Sequence, residues 1–246
     1  MIEITKSQIA AGLKDLGVKE DMAIEVHSSL SSFGYVNGGA VTVIDALKEA
    51  TGPNGSIFMP ALRLSPNLPL SEKDIQLGIT CKIKILPPDN VRSAMGIISD
   101  TFRQLPEVYT GEGVFRISAW GKHAKEAKNG LKYLITNGGK ALLLGVDIYK
   151  LTAMHYVEDL LPDRIRNIFK PSEQVNEIYP PEEWFIETGE PPIKPWYTIQ
   201  EMAYKKGLIQ SGLIGNCHCM FFDIWEVVSL YEKELRENPY KLYGLE

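Results

Sequence analysis

His155 and Glu158 are the pair whose types and spacing suit acid–base chemistry. An imidazole changes charge near neutral pH, and a carboxylate three residues on along a helix faces the same side, where it can orient the ring and stabilise its cation. With Thr152 capping this helix, His155 falls at the third helical position. The positive helix end there disfavours the imidazolium and works against Glu158, which holds the pair near neutral pH. On the helix alone, a half-buried histidine on an amphipathic face is the commoner outcome.

A second constellation runs Val26-His27-Ser28-Ser29-Leu30-Ser31-Ser32-Phe33-Gly34-Tyr35-Val36-Asn37-Gly38-Gly39. It leaves a strand and opens a helix, and its small, hydroxylated residues let backbone approach a ligand while the helix end offers amides to an anion such as a pyrophosphate. A plain tight turn is the bland alternative, with His27 simply ending a buried strand and the serines capping it. Cys217-His218-Cys219 invites a metal, but in an extended segment the two sulfurs share one face and His218 points away. With no second ligand pair at zinc-like spacing, a buried thiol pair is the better reading, and no metal is expected.

Two charged stretches oppose one another. From Pro171 to Glu190 stand Glu173, Glu177, Glu182, Glu183, Glu187 and Glu190 without a Lys or Arg, a field that draws a polycation or is merely solvated. Lys150, Arg164, Arg166 and Lys170 precede it and suit an anion. Trp184, Trp196 and Tyr197 suit stacking on sugar rings, or pack the segment down.

The elements that must position these groups alternate. Thr5-x-x-Gln8 before Ile9, Leu13 and Leu16 predicts a capped helix stopped at Gly17. Apolar runs predict strands at Met22 to Val26, Ser56 to Ala61, Phe115 to Trp120 and Lys140 to Val146. Helical patterns fall at Ala40 to Ala50, Ser93 to Gln104, Ala124 to Leu134 and Thr152 to Leu161. Capping boxes at Thr198-x-x-Glu201 and Asp223-x-x-Glu226 predict two more. The prolines between Pro171 and Pro195 predict an irregular excursion over about 162–197, of the length that is often functional. We read 1–246 as a single domain built on a layered α/β core.

The 246 residues, 44% hydrophobic and 23% charged with a net charge of −5, describe an ordinary globular chain without the basic surface that nucleic acid requires. No apolar run approaches a membrane span, so neither nucleic acid nor membrane is an expected partner. Cys81, Cys217 and Cys219 are too few for a disulfide framework, which fits a cytoplasmic location. A homodimer is compatible with the sequence.

Four blocks in order carry a resemblance. They are Val26 through Leu47 to Gly52-Pro53-Asn54-Gly55-Ser56; Ser93-Ala94-Met95-Gly96 with Phe102-Arg103 and Leu105-Pro106; Ser118-Ala119-Trp120-Gly121; and Gly138 to Val146 followed by Thr152-Ala153-Met154-His155-Tyr156-Val157-Glu158. Over residues 5 to 160, with an echo at Gly215-Asn216-Cys217, the chain resembles the aminoglycoside 3-N-acetyltransferase family. Several co-ordered motifs are far more specific than one.

The resemblance implies a three-layer α/β/α sandwich with a mixed central sheet, acetyl-CoA as donor, and direct attack by a primary amine of an amino sugar, either aminoglycoside-like or nucleotide-linked. It lays coenzyme A against His27, Ser28, Ser29, Leu30, Ser31, Phe33 and Gly34, and against Ser93. His155 becomes the base and Glu158 its partner. The family's H-P-x-x-S motif is absent: Tyr109 to Arg116 stand there, with Glu112 about where the His falls and taken as the third catalytic candidate. That departure admits an alternative, a member that binds coenzyme A without turnover.

Overall fold

The computed structural model describes residues 3–246, and among them seven strands form the main sheet. Strands β1 (Glu3–Ile4), β2 (Ala23–Ser28), β3 (Tyr35–Val36), β4 (Ser56–Pro60), β5 (Ile79–Lys84), β6 (Tyr109–Thr110), β7 (Ile117–Gly121), β8 (Lys140–Leu144), β9 (Trp184–Thr188), β10 (Gln210–Ile214) and β11 (Cys217–Asp223) follow one another along the chain. The sheet order is β10-β11-β8-β2-β4-β7-β6, with β8, β2 and β4 parallel and the flanking pairs antiparallel. The sheet is therefore mixed.

Side chains of the central strands alternate between two cores. Ile24 and Val26 of β2 and Leu142 and Leu144 of β8 pack under helices α1 (Lys6–Asp15), α2 (Gly39–Thr51) and α4 (Gly96–Phe102). Ala141 and Leu143 pack on the opposite face under α5 (Lys132–Thr136), α8 (Pro195–Lys205), α9 (Ile224–Glu237) and a 3₁₀ segment, Thr152–Leu160. Helices on both faces of one sheet make the expected α/β/α sandwich.

Local chemistry explains the surviving boundaries. Thr5 and Gln8 close both bonds of their capping box, at 2.9 and 3.4 Å, and Asp223 caps α9 by accepting from Glu226 N. Thr198 begins no helix, because α8 starts three residues earlier with Pro195 at its first position. The helix expected from Ser93 starts at Gly96, since Ser93 is turned back on Asp100. Gly121 can be nothing larger: its φ is +97°, and a Cβ there would lie 2.1 Å from the Gly55 carbonyl.

A further expectation is corrected. The span over 162–197 is not irregular: α6 (Asp163–Phe169), α7 (Glu173–Ile178) and β9 occupy it, the prolines standing in the turns between them. Strand β9 pairs antiparallel with β5, which the sequence pattern did not reveal. Around that pair Ile79, Val175 and Ile186 form a small core beside α3 (Glu72–Gln76), where Asp74 accepts from Lys82 Nζ at 2.8 Å and Tyr179 Oη at 2.5 Å. Helix α10 (Pro239–Leu242) ends the chain's regular structure. No helix among the described residues is long and apolar enough to cross a membrane.

Candidate active site at the central strand ends

The carboxyl ends of β2 and β8 lie side by side, Ser28 opposite Leu144. From β2 the chain leaves toward α2 on one face, and from β8 toward the 152–160 segment on the other, so a crevice opens between them. Open α/β sheets bind ligands at such switch points. Here the two loops touch: Ser32 Oγ donates to Gly145 O at 3.2 Å, and a Cβ on Gly145, whose φ is +71°, would lie 2.2 Å from Ser32 Cβ. Only glycine admits that approach.

The expected elbow is a 3₁₀ turn, Leu30–Phe33. Ser29 Oγ and Ser31 Oγ are 3.0 Å apart, Ser28, Ser29 and Leu30 are half-buried, Ser31 and Gly34 are exposed, and Phe33 is buried in the core. Helix α2 begins only at Gly39, beyond β3, so the elbow and that helix end are separate features. Ser93 Oγ donates to Asp100 Oδ1 at 2.7 Å and accepts from Met95 N at 3.2 Å. His27 directs Nε2 inward, 2.7 Å from Glu25 Oε1.

His155 and Glu158 do meet, Nδ1 to Oε2 at 2.5 Å. The segment is a 3₁₀ helix, in which residues three apart eclipse, and that places the carboxylate directly over the ring edge. Thr152 does not cap it. Leu151 stands at the cap without a side-chain bond, and the first amides of the segment instead meet Glu25 and His27. Trp196 supports the imidazole edge-on with ring centres 4.9 Å apart, while 61% of the His155 side chain stays accessible. Burial works against the charged ring, but the Glu158 hydrogen bond and charge, with Glu187 and Glu25 beyond, raise its pKa above the ordinary value. The expected opposition from the helix end is not what sets it.

Glu187 on β9 is the carboxylate that the sequence left among the acidic residues of the excursion. Burial and the neighbouring Glu158 raise its pKa, with His155 pulling the other way. Glu112 is not brought to the pair: it lies on the exposed turn between β6 and β7, with β4 and β2 between that turn and β8, and it makes no hydrogen bond or ion pair among the described residues.

A group of arginines was also missed, because its members are scattered in sequence. Arg103 and Arg116 both bond Asn90, Arg116 through Nη2 at 3.2 Å and Arg103 through Nη2 to the carbonyl, while Arg63 Nε donates to Leu86 O at 2.7 Å. Burial, then repulsion from Arg103 and Arg63, lowers the Arg116 pKa. Asp100 is paired with Arg103, at 3.3 Å from its Nε, and it also holds Ser93. Glu25, too, left a signal: a carboxylate inside the apolar run Met22 to Val26 has to be buried with a partner.

The expected thiol pair is present: Cys217 and Cys219 are buried with sulfurs 3.7 Å apart, and His218 faces outward. The basic stretch is engaged locally, Arg166 donating to Leu161 O at 2.7 Å and Arg164 lying over Tyr240. A cleft of about 740 Å³ opens beyond the elbow between Gly145–Asp147, β10, β11 and α8, and His155 does not line it. The acid–base groups lie elsewhere.

Residues 26–236 match the model of a family described as aminoglycoside 3-N-acetyltransferase. The SPbeta prophage-derived aminoglycoside N(3')-acetyltransferase-like protein YokD of Bacillus subtilis (strain 168) is 30% identical over 96% of this chain and 94% of its own length. Aminoglycoside N(3)-acetyltransferase III of Salmonella sp is 24% identical over 92% of this chain and 89% of its own. The solved structure of AAC-IIIb in binary complex with CoASH superposes with a TM-score of 0.69 at 20% identity, covering 96% of this chain and 97% of that one, a likeness of fold.

Proposed function

The chain belongs to the aminoglycoside 3-N-acetyltransferase family, a family of acyltransferases, and we propose that it moves the acetyl group of acetyl-CoA onto a primary amine of a cationic amino sugar. The observation that carries this reading is His155 joined to Glu158 at 2.5 Å, with the Glu187 carboxyl coupled electrostatically to both, beyond the carboxyl end of β8. In the reaction the neutral amine attacks the thioester carbonyl carbon. The C–N bond forms, His155 takes the proton released from nitrogen, the C–S bond breaks, and the coenzyme leaves as a thiolate that the imidazolium can protonate.

Residues present fit the donor. The elbow offers the Ser29 and Ser31 hydroxyls to the pantetheine arm, and Ser93, whose hydroxyl is held by Asp100, remains a proposed contact. Among the described residues Arg63 bonds through Nε alone, which leaves its terminal N–H groups for phosphate oxygens. Of the elbow residues, Ser28, Ser29, Leu30, Ser31 and Gly34 remain the proposed coenzyme contacts; Phe33, buried in the core, and His27, buried beside Glu25, are withdrawn from that role. We assign Glu112 no part in catalysis. The whole chain acts as one acetyltransferase domain, the β5–β9 lobe supplying the acceptor side.

Between the two acceptor classes, the charges favour the cation. Glu158 bonds His155, and the charges of Glu187 and Glu25 also favour its cation, whereas Arg164 and Arg166 are occupied with Tyr240 and backbone carbonyls. Thiol release from acetyl-CoA, measured with a panel of aminoglycosides and of nucleotide-linked amino sugars, tests both halves. Turnover is expected with the polycations and to rise with pH through a midpoint above the ordinary histidine value, because the base must be neutral. Coenzyme binding without thiol release on any amine would overturn the reading in favour of a silent member.

A further inference from the structure

We propose that Glu25, through its contact with His27, is a positioning residue: the buried pair on β2 anchors the amino end of the 152–160 segment and thereby fixes the stance of His155. The proposal rests on His155 being the base.

Strand β2 is central and its residues alternate, so Ile24 and Val26 enter one apolar core while Glu25 and His27 face the other, opposite Ala141 and Leu143 of β8. Both are out of water, at 0% and 8% exposure. A carboxylate in such a layer is costly to bury, and one kept there has partners that repay it. Those partners are the Ala153 amide, which opens the catalytic segment, and the His27 ring.

Ala153 N donates to Glu25 Oε1 at 3.2 Å, and Thr152 N donates to His27 Nε2 at 3.2 Å. Because Nε2 also lies 2.7 Å from Glu25 Oε1, it serves Thr152 or Glu25 according to the ring's tautomer, and the carboxylate holds Ala153 in either case. Opening amides of a helix need acceptors, and Leu151 supplies none. The side chains that do so come from a strand 125 and 128 residues earlier, which ties the segment's rotation to the rigid sheet. Two residues past Ala153 stands His155, and one 3₁₀ turn further Glu158 eclipses it.

Glu25 Oε2 is buried without a partner and is the sole side-chain atom of that kind among the described residues. A group retained only as a cap would have its second oxygen satisfied; a charge directed at the segment behind the base has a further use. The charged and titratable groups that face His155 are Glu158 on its own segment, Glu187 on β9 and Glu25 on β2, with Trp196 packed on the ring from α8. Each carboxylate favours the imidazolium.

The test uses the full chain and three variants. Glu25→Gln keeps an oxygen for Ala153 N and removes the charge. We expect the rising limb of kcat against pH to move to lower pH by a few tenths of a unit to about one. Glu25→Ala also removes the acceptor, and kcat should fall on the order of tenfold with the KM for acetyl-CoA within about twofold. His27→Gln, which retains a polar partner for Thr152 N, stands in if the Glu25 variants do not fold, with a smaller kcat loss of the same kind. Unchanged kcat and pH profile in folded variants, with only thermal stability lost, would overturn the proposal. An NMR titration of the His155 ring, assigned with His155→Asn, separates this from failure of the enzymatic reading. In a chain that turns over no amine, a lower ring pKa in Glu25→Gln still supports the coupling, and an unmoved one sinks it.

Discussion

The two sides of the crevice are made differently. His155 and Glu158 come from one spacing of three residues on a segment anchored to the middle of the sheet. Glu187, coupled electrostatically to both, rides on a strand whose partner lies far off in sequence: Thr80 and Glu187, bonded across the β5–β9 pair, are 107 residues apart. Short-range spacing can specify a reagent, because helix geometry does the rest. What the reagent meets is specified by long-range pairing, whose cost is loop closure and whose reward is a surface that changes without disturbing the base. The donor side and the acceptor side should therefore fail separately.

The sharpest way to break that separation is His155→Ala. Removing a positioned base should cut turnover by ~10² to 10⁴ on every acceptor while acetyl-CoA still binds, as calorimetry would register. Wild-type rates in this variant would move catalysis off the strand ends altogether, and with it the contrast.

Next in size is Asp74→Ala in the β5–β9 lobe. Its carboxylate holds Lys82 and Tyr179, and the Lys82 hydrogen bond, with that from Tyr179, keeps its pKa well below the usual carboxylate range against the penalty of burial. Removing it leaves a lysine with little access to water, at a cost of about 3–5 kcal/mol to the lobe. Hydrogen exchange over 70–84 and 171–188 should accelerate, with the segment 140–160 protected as before. The pH dependence has the same origin. With the folded pKa depressed, the stabilisation is complete above the ordinary carboxylate value near 4 and disappears as pH falls through the lower folded one. Acid should thus loosen the acceptor side first. Uniform loosening of both regions would show that they are one cooperative unit.

The same contrast explains what could be read in the sequence. Thr5 with Gln8 and the apolar run of β8 are local statements, and each is where it was expected; the Gly145 approach joins residues 113 apart and was not foreseen. The 152–160 helix was legible as helix but not as 3₁₀, because the acceptors for its opening amides, Glu25 and His27, stand on another element. Prolines from Pro171 to Pro195 say only that turns occur; that β9 lies between two of them depends on β5, whose Ile79 to Lys84 does alternate apolar and polar residues but names no partner, which stands about a hundred residues on. Glu112 was placed by correspondence with a motif the chain lacks, and without that motif's residues nothing turns its side chain inward. The arginines near Ser93 escaped notice because Arg63, Arg103 and Arg116 converge only when β4, α4 and β7 are assembled.

Glu187→Gln gives the smallest effect and the finest test. The variant keeps the shape of β9 and removes one charge beside His155. If the lobe recognises a cationic amine, the KM for a polycationic acceptor should rise by about tenfold, the lower end of what a hydrogen bond to a charged group contributes, and the KM for acetyl-CoA should stay where it was. Wild-type affinity should itself weaken as pH falls through the raised Glu187 pKa, since the attracting charge is then neutralised. A rise in both KM values would mean that Glu187 acts through the shared histidine. A rise in neither would leave the acceptor to the broad cleft beside Asp147, and the separation of donor from acceptor side would have to be redrawn around it.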